Sequence, residues 1–288
     1  MRIAHTPSQV ERQPRAVAIG TFDGVHRGHR TVLQAAIDTG LAPTAITFDP
    51  HPRIALGNRV ELITTLERRL ELIAAAGIET TLVVSFTPEL QMLSPHEFAD
   101  HYLRAIGVEA VAAGPDFRFG ARRAGDLALL GRLDFRVLDV SPVADVSSTA
   151  IRAALTEGDV VSAAQMLGRP HELDGLVVIG DQRGGTLGYP TANIALDASL
   201  ACPRDGVYAG WARDHRAAVS VGTNPHYGGT ERRIEPFLLD FDGNLYGQRL
   251  VVELWQRLRD QSVFASEDEL VTQIARDVEA TQRAPRPT

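Results

Sequence analysis

In the first half of the chain, apolar residues come in short runs that end at glycine or a polar turn, and helical stripes fall between them. Val17-Ala18-Ile19 runs into Gly20, and Ala45-Ile46-Thr47-Phe48 into Asp49. Thr81–Val84, Ala110–Ala113 and Phe135–Val140 repeat the pattern. Such runs predict strands. Between the first two, residues 31–36 place Val32, Leu33 and Ala36 on one helical face. Thr64 and Glu67 form a capping box that opens a helix with the stripe Leu66, Leu70 and Ile73. Ser94-Pro95-His96-Glu97 is a helix start, with an N-cap serine, proline at the first position and glutamate at the third. Strands alternating with helices predict a parallel sheet, whose ligands bind beyond the carboxyl ends of its strands. Gly20, Asp49 and the stretch from Gly114 to Asp116 all fall there.

After about Leu167 the pattern changes. Gly206–Trp211 and Ala217–Val221 read as strands. Ile234–Phe241 and Arg249–Leu254 flank Asp242-Gly243-Asn244, which reads as a hairpin turn. This half predicts an antiparallel sheet or small barrel. A last helix closes it, with Ser266 and Glu269 as capping box and Leu270, Val271, Ile274 and Val278 as apolar stripe. Residues 283–288 read as a frayed tail. The expected fold class is α/β in two domains, 1–167 and 168–288, and 288 residues suit a prior of ~100–200 per domain.

Composition narrows the chemistry. The chain has no lysine, which excludes Schiff-base and lysine-nucleophile catalysis and leaves phosphate binding to arginine, histidine, backbone N–H groups or a metal. A net charge of −7 argues against a nucleic-acid partner. Cys202 is the single cysteine, so an intrachain disulfide and a cysteine zinc cluster are excluded. No apolar run approaches the ~20 residues of a membrane span, and the first fifteen residues show no signal-peptide core. The expectation is a cytoplasmic enzyme without a membrane partner, with weak homo-oligomerisation left open.

Two segments carry candidate chemistry. The first runs from Gly20 through Thr21, Phe22, Asp23, Gly24, Val25, His26, Arg27 and Gly28 to His29. His26 and His29 lie three apart where loop becomes helix, so they share a face. The glycines admit close backbone approach, and the helix N-terminus offers N–H groups to phosphate. Two imidazoles there suit stabilisation of charge at phosphorus without a covalent nucleophile. Taken alone, the four residues from His26 to His29 read equally well as two surface histidines in a turn. Zinc binding lacks an obvious third ligand. A second element, Ser147-Ser148-Thr149-Ala150-Ile151-Arg152, opens another helix. Its hydroxyls and Arg152 suit a polyphosphate, or simply cap the helix.

The second segment is glycine-rich, from Gly180 through Arg183 and Gly184 to Gly188, and continues into Tyr189-Pro190-Thr191-Ala192-Asn193. It lacks the GK[ST] of a Walker loop. Thr191 and Asn193 offer hard oxygens suited to Mg²⁺ beside phosphate. By itself the loop reads more readily as surface.

In context the chain resembles the prokaryotic bifunctional riboflavin kinase/FAD synthetase family. The first half is similar to a Rossmann-like HxGH nucleotidyltransferase through Gly20–His29, Phe48-Asp49-Pro50-His51-Pro52, the stretch from Gly114 to Gly120, and Ser147–Arg152. The second half is similar to the riboflavin kinase module, a small antiparallel β-barrel with a terminal helix. Its matching segments are 175–194, 203–210, 222–225, 234–247 and 264–277. The resemblance implies phosphorylation of riboflavin to FMN, then transfer of AMP from a second ATP to FMN, giving FAD and pyrophosphate, with Mg²⁺ for both. It implies ATP binding by Thr21, Phe22, Asp23, Gly24, His26, His29, Ser147, Ser148, Thr149 and Arg152. Phe48, Asp49, Pro50 and Asp116 would line the flavin side or the adenine edge. In the kinase half it implies phosphate binding by Gly180, Arg183, Gly184 and Gly188, Mg–ATP held by Thr191 and Asn193, and Glu235 as general base. Read without the resemblance, Glu235 is a solvated strand residue.

Three positions depart from the family pattern. Asp145 stands where some relatives have a basic residue, His226-Tyr227 follows Pro225, and Val263 precedes Phe264. The alternatives are a single-activity kinase with a degenerate adenylyltransferase half, a flavin-binding regulator without turnover, or another HxGH transferase.

Overall fold

The structure is a computed structural model describing residues 1–180, 188–223 and 232–287. The chain divides into two compact units. One comprises Met1–Val60 and Leu66–Val146, the other Glu61–Thr65 and Ser147–Thr288.

The first unit contains β1 (Arg2–Ala4), β2 (Arg15–Ile19), α1 (Arg27–Ile37), β3 (Ala42–Asp49), α2 (Pro52–Ala55), α3 (Leu66–Ala75), β4 (Thr80–Ser85), α4 (Pro88–Met92), α5 (Pro95–Phe98), β5 (Val108–Ala112), α6 (Leu127–Arg132) and β6 (Arg136–Val137). All strand pairs are parallel, in the order β1-β4-β3-β2-β5-β6. The chain moves from β2 to one side for β3 and β4, then crosses to the other side for β5. The crevice at the ends of β2 and β5 is therefore a topological switch point, where open α/β sheets bind ligands.

Residue size orders the two faces. Ala16 and Ala18 of β2, Ala45 of β3, and Ala110 and Ala112 of β5 share a core with Val32, Leu33 and Ala36 of α1 and with Leu72 and Ile73 of α3. Methyl side chains on the strands let α1 pack close to the sheet. The opposite face carries Val17, Ile19, Ile46, Leu82, Val84 and Val111, packed on Leu90, Phe98, Leu103 and Leu130.

Several boundaries differ from the sequence expectation. β1 lies in the polar N-terminal stretch and pairs with β4. The strand expected over 135–140 shrinks to Arg136–Val137, an edge strand with both residues exposed. The helix after Ser94 has the expected capping box but lasts one turn before a π-helical stretch over Ala99–Leu103. α3 opens one residue later than the Thr64 cap predicts, and the Thr65 hydroxyl donates to Asp174 at 2.7 Å.

The second unit contains α7 (Ser148–Glu157), α8 (Val160–Leu167), β7 (His171–Val178), β8 (Asn193–Leu196), β9 (Gly206–Ala212), β10 (His215–Thr223), β11 (Arg232–Leu238), β12 (Arg249–Arg259) and α9 (Glu267–Arg283). Its strands close into an antiparallel barrel in the order β10-β11-β8-β7-β12-β9. Closure gives every strand a neighbour on both sides. The expected hairpin across Asp242-Gly243-Asn244 does not form. β11 has both edges taken by β10 and β8, and β12 pairs with β7 and β9 instead.

Leu173, Val219, Ile234, Leu250 and Val252 form the barrel core together with Ile151 and Leu155 of α7, Val160 and Leu167 of α8, and Ile63. The short segment 61–65 joins this unit by backbone pairing. Leu62 N–H donates to the Ser199 carbonyl at 2.6 Å, and Ala201 N–H to the Leu62 carbonyl at 2.7 Å. Asp174, which accepts from Thr65, is also held by Arg249 at 2.7 and 2.8 Å.

The C-terminal tail is anchored rather than frayed. Arg216 donates to the carbonyls of Thr281 and Ala284 at 2.7 and 2.9 Å. Arg286 forks onto Glu253 at 2.9 and 2.7 Å. Truncating a barrel-core leucine costs about 2–5 kcal/mol, and an exposed pair such as Arg283–Glu279 contributes at most about 1 kcal/mol, so the apolar interior decides stability. No helix among the described residues is long and apolar enough to cross a membrane.

His171, at the start of β7, is fully buried with its Nε2 unpartnered among the described residues. Burial, reinforced by Arg169, lowers its pKa to about 3. The unfolded chain takes up this proton near its ordinary ~6.5. Stability is therefore complete above that pH and falls by about 1.4 kcal/mol per pH unit as pH drops toward 3. His171→Leu is expected to flatten this slope in urea titrations between pH 6.5 and 4; an unchanged slope would show that His171 does not carry it.

Candidate functional site

The connection from β2 to α1 is a tight turn sealed into the first unit. Phe22 and Val25 are fully buried at φ 50° and 40°, and Gly24 lies at φ 83°. Non-glycine residues in this region cost about 1–3 kcal/mol each and persist where the surroundings impose them. Here the Phe22 and Val25 side chains anchor in the alanine-lined core. The Thr47 hydroxyl donates to the Thr21 carbonyl at 3.0 Å, tying the turn to β3.

His26 caps α1. Its Nδ1 accepts from the His29 N–H at 3.2 Å. With Nδ1 as acceptor, the neutral tautomer carries its proton on Nε2. The His29 ring stacks on His26 with centroids 3.6 Å apart and planes 16° from parallel. Phe22 meets His29 edge-on at 5.4 Å. His29 Nδ1 is buried without a partner among the described residues. Burial first, then His26 and Arg69, hold the His29 pKa well below the usual histidine range. The spacing of the motif has a steric reason, since a Cβ on Gly28 would lie 3.2 Å from Cε1 and 3.3 Å from Nδ1 of His26.

Around this pair the expected residues divide. Thr21, Asp23 and Gly24 lie in the turn itself. Asp49 ends β3, follows the half-buried Phe48, and is joined to Pro50 by a cis peptide bond. Asp116 is exposed in the loop after β5. His51 has a local job, capping α2 by accepting from Arg53 N–H at 3.2 Å. Ser147, Ser148, Thr149 and Arg152 belong to the second unit. Ser147 caps α7, accepting from Ala150 N–H at 3.1 Å, and the Arg152 Nε donates to the Glu61 carbonyl.

Arg69 escaped the sequence reading. It sits on α3, fully buried, and donates from Nη1 to the Phe48 carbonyl at 3.2 Å. The signal was available, because Arg69 lies three residues after Leu66 and four before Ile73, a cation on the apolar face.

In the second unit, Asn193 opens β8 opposite Val178. A Cβ on Gly180 would fall 2.1–2.6 Å from the Asn193 amide, so only glycine leaves space for that side chain. Thr191 lines a cleft of about 310 Å³ with Val177, Pro236, Phe241, Asn244 and Tyr246. Glu235 sits on β11 between the inward Ile234 and Pro236, opposite Ser220 of β10, on the outer face of the barrel. Neither Asn193 nor Glu235 lines the cleft. Gly188 adopts φ 84°. Arg183, Gly184 and the His226-Tyr227 departure lie outside the described residues. Asp145 takes φ 59°, and Val263 is exposed. Among the described residues no three His, Cys, Asp or Glu side chains converge as a metal site. The side-chain oxygens of Thr191 and Asn193 are of the hard, neutral kind that Mg²⁺ accepts, and its charge would be balanced by phosphate.

Known proteins show the same two-part plan. A riboflavin kinase family model matches residues 167–284, and an FAD synthetase model matches 8–154. A bifunctional riboflavin kinase/FMN adenylyltransferase of Listeria monocytogenes is 37% identical over 93% of this chain and 91% of its own. The Escherichia coli K12 protein of the same description is 36% identical, covering 96% of this chain and 95% of its own. A Streptococcus pneumoniae crystal structure, described as a macrolide-efflux protein, superposes with a TM-score of 0.87 at 32% identity over 98% of this chain and 99% of its own.

Gly28→Ala separates helix propensity from site geometry. Alanine favours α1 by about 0.5–1 kcal/mol, and a disturbed His26 cap costs about 1 kcal/mol, so net stability should barely change. The ring-current-shifted imidazole NMR signals of the stacked pair should nevertheless be lost. Retained signals would show that the stack tolerates a methyl group at 3.2 Å.

Proposed function

The chain belongs to the bifunctional riboflavin kinase/FMN adenylyltransferase family, and we propose how its residues divide the two reactions. The protein phosphorylates riboflavin with ATP to give FMN, and adenylylates FMN with ATP to give FAD and pyrophosphate. By sequence, residues 1–167 carry the adenylyltransferase and 168–288 the kinase, although segment 61–65, α7 and α8 pack with the barrel, and both reactions run in the cytoplasm.

For adenylyl transfer, an FMN phosphate oxygen attacks the α-phosphorus of ATP while the bond to pyrophosphate breaks. His26 offers its Nε2–H to the phosphate, with His29 stacked against it, and the free N–H groups of α1 add a positive helix end. The stacked imidazole pair at the switch point, with His26 capping α1, is the observation that carries this reading. Thr21, Phe22, Asp23 and Gly24 shape the phosphate turn, and Ser147, Ser148, Thr149 and Arg152 supply further ATP contacts. Phe48, Asp49, Pro50 and Asp116, at the carboxyl ends of β3 and β5, line the flavin side or the adenine edge.

For the kinase step, Glu235 takes the proton of the terminal ribityl hydroxyl as that oxygen attacks the γ-phosphorus. Gly180, Arg183, Gly184 and Gly188 surround the phosphates. Thr191 and Asn193 would hold Mg²⁺, which would supply neutralisation of the phosphate charge.

Purified protein given riboflavin and Mg–ATP should yield FMN and then FAD by chromatography; FMN alone would leave the adenylyltransferase half without activity. Glu235→Ala is expected to abolish FMN formation and spare FAD formation from supplied FMN, with a loss of about 100-fold or more in the first activity. His29→Ala should show the reverse pattern. Normal FAD output from His29→Ala would remove it from the site, and equal loss of both activities in either variant would overturn the assignment of separate sites.

A further inference from the structure

Arg69 is a fully buried cation to which the roles above assign nothing. Its Nη1 donates to the Phe48 carbonyl at 3.2 Å, while Nε and Nη2 find no partner among the described residues. Burial lowers its pKa, and the carboxylates of Asp23 and Asp49 act in the opposite direction. Asp23 belongs to the turn before α1, Asp49 ends β3, and His29, which feels the same cation, lies in the first turn of α1. One guanidinium thus acts on two stretches separated in sequence, the junction of residues 23–29 that leads into α1 and the end of β3.

We infer that Arg69 is a positioning residue for adenylyl transfer, holding the end of β3 and the phosphate-binding turn in register from within the fold and keeping the imidazole pair in one arrangement. This rests on the adenylyltransferase reading of the first site. The mechanical part is the hydrogen bond to Phe48, whose carbonyl immediately precedes Asp49 on the flavin-side segment. The electrostatic part concerns His29. His26 is stacked on it, Phe22 presents an apolar edge, and Arg69 is a fixed cation whose own charge Asp23 and Asp49 favour. Two rings 3.6 Å apart stack readily when neutral, and a cation nearby opposes charging either one. Asp23 and Asp49 keep the guanidinium from standing as an uncompensated buried charge. A purely space-filling Arg69 would influence stability and leave His29 titration alone.

The test uses the full chain with isotope-labelled histidine, following the His29 imidazole by NMR across pH, alongside FMN adenylylation and, as internal reference, riboflavin phosphorylation. Wild-type His29 should not titrate near the ordinary ~6.5. In Arg69→Met its midpoint should rise by about half a pH unit or more. The kcat for adenylylation should fall about tenfold or more, with kinase activity within about twofold. Arg69→Lys should keep the low His29 midpoint, because the charge remains, and recover only part of kcat, because the single ammonium reproduces the fork poorly. An unchanged His29 midpoint with adenylylation within about twofold in Arg69→Met overturns the inference. Should that variant fail to fold, the inference still falls if wild-type His29 titrates near ~6.5 or if Arg69→Lys matches wild type in both readouts. Absence of FAD formation by the wild-type chain would instead count against the adenylyltransferase reading itself.

Discussion

The first site depends on how closely one helix can approach one sheet. Alanine at 16, 18, 45, 110 and 112 gives α1 a shallow bed, and that depth fixes where its N-terminus emerges beside the end of β2. The chain reaches it in a turn that places Phe22 and Val25 in left-handed backbone conformations and buries both side chains. Larger residues on this face would lift α1, release the two side chains and unmake the His26 cap. The strain in the turn persists because packing around it leaves no alternative.

The two candidate sites, in a chain without lysine, differ in what they present. The first combines a stacked imidazole pair and a helix end, with a buried arginine behind them. In the second, Thr191 lines a cleft, Asn193 opens β8, and Glu235 lies on a strand outside the cleft.

The sequence was most legible where a strand is buried on both faces and ends at glycine or a polar turn. β2, β3, β4 and β5 announce themselves this way, and the HxGH turn between β2 and α1 follows from them. Legibility failed where long-range pairing decides. The turn signal at Asp242-Gly243-Asn244 was real as a local bend, but barrel closure gave β11 and β12 other neighbours. β7 and β8 pair across the glycine-rich stretch, which hides their partnership from any local window. β1 is polar on one side and gains its place only by adding to β4. The roles of His26, His29, Thr191 and Glu235 came from motif resemblance, whereas Arg69 became visible only through burial.

Segment 61–65 has an organisational consequence. It lies in the sequence of the first half, yet Leu62 pairs with Ser199 and Ala201, and Ile63 is 2% exposed in the barrel core. Together with α7 and α8, it makes the boundary in space different from any boundary along the chain. A single peptide-bond cut therefore never yields two complete bodies, because one fragment always carries away a piece of the other's interior. The two enzymes are interlaced at the level of the gene, so a module exchanged between relatives brings with it a short stretch that was shaped to fit another protein's core.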